Sequence, residues 1–346
     1  MDTEVTPTAG PGVPFRHRSR IMVVVGAVIA IALGAAYLSI GHHPQPRDVP
    51  IASVGSPAVA QAIEAQAPGQ LDVRAVPDRA AARQAIDERD VYAAVVPGEQ
   101  GVRELMLASS ASNQVANFMR KTLGAATPDN VPRIVDVKPL PEDDSAGSSI
   151  PLLVQLLMLG GSVGILGFRS VLPRFQAGPR SGVLPIAALV AYALAFGLAV
   201  TGISAAFGVG TDASVVDRVL VFSFISLAVT ASTAAMVSLI GAAGAAVTGT
   251  LFFVIGAQIS GGNTAFEFLS PFWSGLGEHL PGGAGTALLR DVLYFPDASM
   301  TEPIATLAAY VGAGVLVVLG LSALRSRLPE RRPRLGSDAL APNPAG

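Results

Sequence analysis

The sequence predicts an α-helical integral membrane protein of about six transmembrane helices, with a small α/β extracytoplasmic domain inserted between the first and second helices. Three observations predict it. Long windows of the chain carry no charge, every strongly basic segment falls on one side, and one polar stretch alternates strand and helix patterns.

Of 346 residues, 51% are hydrophobic and only 14% are charged. A soluble chain carries about a quarter charged residues. The deficit is localised. No Asp, Glu, Lys or Arg occurs between Arg20 and Arg47, Asp144 and Arg169, Arg180 and Asp212, Arg218 and Glu267, or Glu302 and Arg325. Each window holds at least one apolar helix of about 20 residues, enough to cross about 30 Å of hydrocarbon. In lipid the backbone must satisfy its own hydrogen bonds, so each window reads as helix. The first span, within 21–41, is too long for a cleaved signal and reads as a retained anchor.

Basic residues near span ends mark the cytoplasmic side. The tail 1–20 carries Arg16, Arg18 and Arg20 and is expected there, so the first span leads outward. Residues 42–148 form the exported domain. A block of five spans follows over 149–325, expected near 150–168, 183–207, 219–240, 246–260 and 303–324. Gly241-Ala-Ala-Gly244 reads as the turn between the fourth and fifth. The loop holding Arg169, Arg174 and Arg180 has no acid and reads as cytoplasmic. The segment 261–302 is acidic and reads as an outer loop. The tail 326–346 returns Arg327, Arg331, Arg332 and Arg334 to the cytoplasm, so both termini are expected there, in a bacterial cell membrane.

Within the exported domain, 49–54, 71–76 and 91–96 read as strands, with weaker strands at 104–108 and 134–137. Helix patterns fall at 57–66, 78–90 and 112–123, with Asp78 and Ser56 as N-caps. Glu142-Asp143-Asp144 reads as a solvated linker. The net charge of −2 says little about partners, and the absence of Cys excludes a disulfide framework and a thiol nucleophile. His42 and His43 sit beside Pro44 and read as solvated interface residues rather than metal ligands. Gly55-Ser56-Pro57 is a strand-to-helix turn without the Gly-x-Ser-x-Gly spacing of a nucleophile elbow. No catalytic constellation, cofactor motif or metal cluster is evident, so an enzyme is not expected.

The spans hold almost no ionisable groups, which argues against ion-coupled transport. The chain also lacks a phosphate-binding loop of its own. Gln155, Thr201, Ser204, Ser223, Thr230, Ser232, Thr233 and Gln258 either line a path or bond their own helices. Gly160 and Gly164 form a small-residue face for helix packing. The outer loop is the richest segment. Phe266, Phe268, Phe272 and Trp273 suit interface depth. Then come Pro281, Gly282, Gly283 and Gly285, followed by a short amphipathic stretch through Arg290, Tyr294 and Phe295.

This architecture resembles the type-2 ABC exporter permeases, and most of all the branch with a large external domain, the phage-infection-protein-like membrane proteins. The resemblance spans about residues 15–325. It rests on Leu280-Pro-Gly-Gly-Ala-Gly285 with Leu288-Leu-Arg290 and Tyr294-Phe295 before the last span. It rests also on Asp78 to Ile86 followed by Asp90 to Pro97. The resemblance implies a permease subunit that exports a lipid-like or amphipathic molecule. It implies as partners membrane lipids, a second permease subunit in a homo- or heterodimer, and a separate cytoplasmic ATPase; nothing points to nucleic acid. In that family a coupling helix follows the second span. Here the place is taken by a short loop with Pro173 and Pro179, carrying the candidate coupling residues Arg169, Arg174 and Arg180. The alternative is a non-transporting envelope protein, a receptor or scaffold whose external domain binds a partner.

Overall fold

The structure, a computed structural model, describes residues 15–42, 44–98, 101–125, 131–171 and 183–327. Helix α1 (Phe15–Gly41) leads into a five-stranded sheet. The strands are β1 (Val49–Val54), β2 (Leu71–Val76), β3 (Ala93–Gly98), β4 (Gly101–Leu107) and β5 (Arg133–Asp136), in the order β2-β1-β3-β4-β5. β1 is parallel to β2 and β3, β4 is antiparallel to β3, and β5 is parallel to β4. Helices α2 (Pro57–Glu64), α3 (Arg79–Asp87) and α4 (Asn113–Thr122) connect them. The expected elements are therefore present. The strands expected at 91–96 and 104–108 lie at 93–98 and 101–107 instead. The register between β3 and β4 shifts at Val96/Pro97, where proline has no N–H to give the ladder.

Caps set the helix starts. The Asp78 side chain accepts from the Ala81 N–H at 2.8 Å, as expected. Ser56 occupies its N-cap position but makes no side-chain bond; Pro57 in the first turn removes one donor that a cap would otherwise serve. The acidic run is solvated at Glu142 and Asp143, as expected, but not at Asp144. Asp144 is buried and accepts from the Ser148 N–H, the Ser148 hydroxyl and the Ser149 N–H, holding the chain at the start of α5 (Ser149–Val171).

Side chains alternate across a strand, and the sheet buries both faces. Val49, Ile51, Val95, Leu105 and Leu107 pack under Ile63 of α2 and Met119 of α4. Ala52, Ala94 and Met106 pack on the other face with Ala82 and Ile86 of α3. Neither cluster is closed by the domain alone. Ala265 and Phe268 complete the first, and Phe295 completes the second. The segment 261–302, expected as an outer loop of the helical block, is thus a shared piece that grips the sheet from both faces.

The remaining elements are α6 (Val183–Ala206), α7 (Val215–Ile240), α8 (Ala242–Thr248), a π-helical continuation (Gly249–Gly256), α9 (Pro271–His279), α10 (Pro281–Tyr294) and α11 (Thr301–Arg327). Four helices among the described residues are long and apolar enough to cross a membrane: Val23–Gly41, Leu184–Ala206, Val215–Ile240 and Thr301–Leu324. Helix α5 is apolar over Ser149–Ile165. The fifth expected span differs most. It is a rod of seven α-helical and eight π-helical residues. At or below 1.5 Å per residue it reaches about 20 Å, short of a 30 Å core. The turn expected over 241–244 contracts to Gly241, whose φ of 70° ends α7 and lets α8 begin at once.

Helix α7 is the most buried of the four and packs against α5, α6, α10 and α11. Gly160 and Gly164 of α5 face α6 within the chain. A methyl on Gly160 would stand 2.1 Å from Phe196 Cζ, and one on Gly164 would stand 2.4 Å from Tyr192 Cζ. The two rings stack with centroids 5.8 Å apart, so small residues four apart accept large ones four apart. Gly160-Gly161-Ser162-Val163-Gly164 also fits the Gly-x-Ser-x-Gly pattern. It lies in mid-helix, with the Ser162 hydroxyl donating to Met158 O, so it is no nucleophile elbow. The path reading for the polar groups gives way to self-bonding at Thr201, Ser204, Thr230, Ser232 and Thr233, each of which donates to a carbonyl of its own helix.

Candidate functional site

The outer-loop motif builds the joint between sheet and helices. Pro281 opens α10 with its fixed φ, and Gly282, Gly283 and Gly285 lie within the helix rather than in a loop before it. Glycine is a poor helix former, by about 1 kcal/mol per residue. Close approach explains its use here. A Cβ on Gly283 would lie 2.1 Å from Gly277 O of α9, and one on Gly282 3.1 Å from Gly256 O. A Cβ on Gly285 would lie 3.2 Å from Ile225 Cγ2 of α7. Ile225 is ten residues into α7, about 15 Å from its start. Helices α9 and α10 therefore form a hairpin that enters the helical block from the sheet side and returns to it.

At the returning end, Arg290 donates to Gly261 O at 2.8 Å and to Gly262 O at 3.0 Å. Burial lowers its pKa to about 10, so it stays charged at neutral pH. The planar fork spans two carbonyls, which lysine cannot reproduce. Beside it Asp291 is only 1% exposed and forms an ion pair with Arg89, which also donates to Ala287 O at 2.9 Å. Arg89 has φ 61°, so the end of α3 is bent to deliver it. Phe295 is fully buried against the sheet. Tyr92 donates to Glu267 at 3.2 Å, Arg47 donates to Leu269 O at 2.7 Å, and the Ala265 N–H donates to Gln114 at 3.0 Å. Burial raises the Glu267 carboxyl above its ordinary range and the Tyr92 hydroxyl likewise.

Burial also raises the Asp291 carboxyl to about 6, against the pull of Arg89. The unfolded value is about 3.9. The folded value is the higher one, so the stability that this group lends is full below about pH 3.9 and is lost as pH rises through about 6. We expect the melting temperature of the protein, minus that of Asp291→Asn, to fall between pH 4 and 6 and to stay flat from 6 to 8. A difference that is constant from pH 4 to 7 would show that burial does not govern this carboxyl.

Above and beside this joint runs a crevice. Its lower part is a groove of about 630 Å³ lined by Leu220, Val221, Phe224, Leu288, Met300 and Ile304. Leu220 is 56% exposed and Ile304 43% exposed, so the groove opens sideways along α7 and α11. Its upper part, about 500 Å³, lies under the sheet domain and is lined by Lys138, Asp212, Ser214 and Tyr294 among others. Asp217, Val292 and Pro296 line both parts, so the two adjoin at these residues. Tyr294 also borders a small polar cavity with Arg290 and Asp144. The Tyr294 hydroxyl is buried without a hydrogen-bond partner among the described residues.

Two expectations about charge change here. Helix α7 begins at Val215, so Arg218 is not in a loop; it is a buried helical residue whose Nε and Nη1 have no partner among the described residues. Helix α5 runs through position 169 to Val171, so Arg169 belongs to the helix rather than to the candidate coupling loop. Arg174 and Arg180 lie outside the described residues, as does His43. His42 is exposed at the end of α1. Among the described residues no group of three His, Asp or Glu is placed to hold a metal.

Fold and site together define an α-helical protein with four helices fit to span a membrane and a small sheet domain locked onto them. Compared with known proteins, the chain matches no family model, no curated protein and no solved structure.

Proposed function

We propose that the chain is the permease subunit of an ABC-type exporter for a lipid-like or amphipathic molecule. In this reading α5 and the Ala242–Gly256 rod join the four long helices as membrane segments. The sheet domain lies outside the bacterial cell membrane and both termini lie in the cytoplasm. The crevice carries the reading. It is apolar where it flanks the helices and polar under the sheet domain, as an amphiphile requires, and each of its two parts has a volume in the range of about 300–1,000 Å³ typical of small-molecule sites. The chain contributes no nucleotide-binding loop, so energy comes from a separate ATPase, and the permease works as a homo- or heterodimer.

Purification from the native membrane in mild detergent tests the partnership. A stoichiometric ATPase is expected to co-purify, and Arg174→Glu with Arg180→Glu is expected to release it. If no ATPase is recovered and the doubly substituted protein keeps full function, the exporter reading fails and a partner-binding envelope protein remains.

A further inference from the structure

We infer that the crevice selects amphiphiles with a cationic, ammonium-type headgroup. The inference rests on the amphiphile reading above and adds the sign of the head charge. Three charged side chains line the polar part: Lys138, Asp212 and Asp217. Lys138 is occupied. Its Nζ lies 3.3 Å from Asp87 and 5.6 Å from the centre of the Phe295 ring. Asp212 and Asp217 are both exposed, and neither pairs with a cation among the described residues. Asp217 is held in place. Its carboxylate accepts from the Ser214 hydroxyl at 2.6 Å, and its N–H donates to the same oxygen at 3.1 Å.

Asp217 stands where the apolar groove meets the polar space, because it lines both. An alkyl chain along Leu220, Phe224, Met300 and Ile304 therefore brings its head to this carboxylate. The next residue, Arg218, does not oppose this. One residue further along a helix is a turn of about 100°, and Arg218 is buried in the bundle and lines neither part of the crevice. The free charge at the mouth is thus negative over an apolar bed, which suits a quaternary or primary ammonium on a long tail. An anionic head of the same length meets two carboxylates with no paired cationic side chain among the described residues.

The test uses the full-length protein in lipid nanodiscs and two photo-crosslinking probes of equal chain length, one ending in trimethylammonium and one in sulfate. A diazirine sits near the tail end of each, and labelled peptides are read by mass spectrometry. The ammonium probe is expected to label the segment containing Leu220 and Phe224, or that containing Met300 and Ile304, at least about fivefold more than the sulfate probe. Asp217→Asn keeps the contact with Ser214 and is expected to lower ammonium labelling about fivefold, the upper range for one exposed charge pair. Asp212→Asn is expected to act in the same direction, which covers the case of a poorly folded first variant. Equal labelling by both probes, unchanged in the variants, overturns the headgroup inference and leaves the amphiphile groove standing. Labelling by neither probe overturns the amphiphile reading itself.

Discussion

Replacing Gly283 with alanine is expected to cost about 3 kcal/mol or more, although alanine is the better helix former by about 1 kcal/mol. The added methyl would stand 2.1 Å from Gly277 O and 2.9 Å from Gly277 C. Those are backbone atoms of α9, which cannot swing away as a side-chain tip can. Relief requires the α9–α10 hairpin to open, and opening it withdraws Gly282 from Gly256 and Gly285 from Ile225. Gly275 supplies the control. It lies in α9 with nothing within 4 Å of its Cβ position, so Gly275→Ala is expected to be neutral or slightly stabilising. Thermal unfolding in detergent, followed as the loss of monodisperse protein, compares the two. If the variants melt together, the hairpin is not closely packed.

The second large effect is expected at Phe295. It is fully buried in the cluster of Ala52, Ala82, Ile86, Ala94 and Met106 on the α3 face of the sheet. Phe295→Ala is expected to cost about 3–5 kcal/mol, a large part of the 5–15 kcal/mol that holds a typical domain folded. The loss should be local in character. The α2–α4 face keeps Phe268, which meets Phe118 edge-on at 5.7 Å. Amide hydrogen exchange should therefore rise in α3 and at the end of α10 before it rises in α4. Uniform deprotection of the sheet domain would mean that the two faces are not separate grips.

These two residues show what could be read from the sequence. The sheet domain was legible because its strands alternate or run apolar for six residues between turn signals, as Val49–Val54 and Leu71–Val76 do. The long helices were legible because charge is missing where lipid would forbid it. The hairpin was half legible. Pro281, Gly282, Gly283 and Gly285 stood out, but glycine propensity argued for a loop, and only tertiary approach of α9 and the π-helical rod explains a helix there. Arg290 and Tyr294 were visible as polar groups, whereas their surroundings were not. Arg89 and Asp291 are 202 positions apart, and no local pattern joins them. Asp144 looked like one more solvated acid because two of its three bonds come from backbone N–H groups, which every residue except proline has. Phe295 stood out only as the end of an amphipathic stretch, because its host is the sheet, not the helices beside it.

Asp217 carries no motif that the sequence alone would single out, since its importance comes from two spaces that adjoin at one helix start. Val292 occupies the matching position on α10, half-buried between the same two spaces. A bulky side chain at this position separates transport through the crevice from transport by any other route. Val292→Trp adds bulk where the groove and the polar mouth adjoin and leaves the Arg89, Arg290, Asp291 and Phe295 side chains themselves unchanged. Accumulation of fluorescent amphiphiles should be measured in native cells carrying the wild-type protein, no protein, or Val292→Trp at matched membrane abundance. Cells with Val292→Trp are expected to retain the dye as cells without the protein do, while wild-type cells expel it. Expulsion by Val292→Trp at the wild-type rate would contradict transport through the crevice.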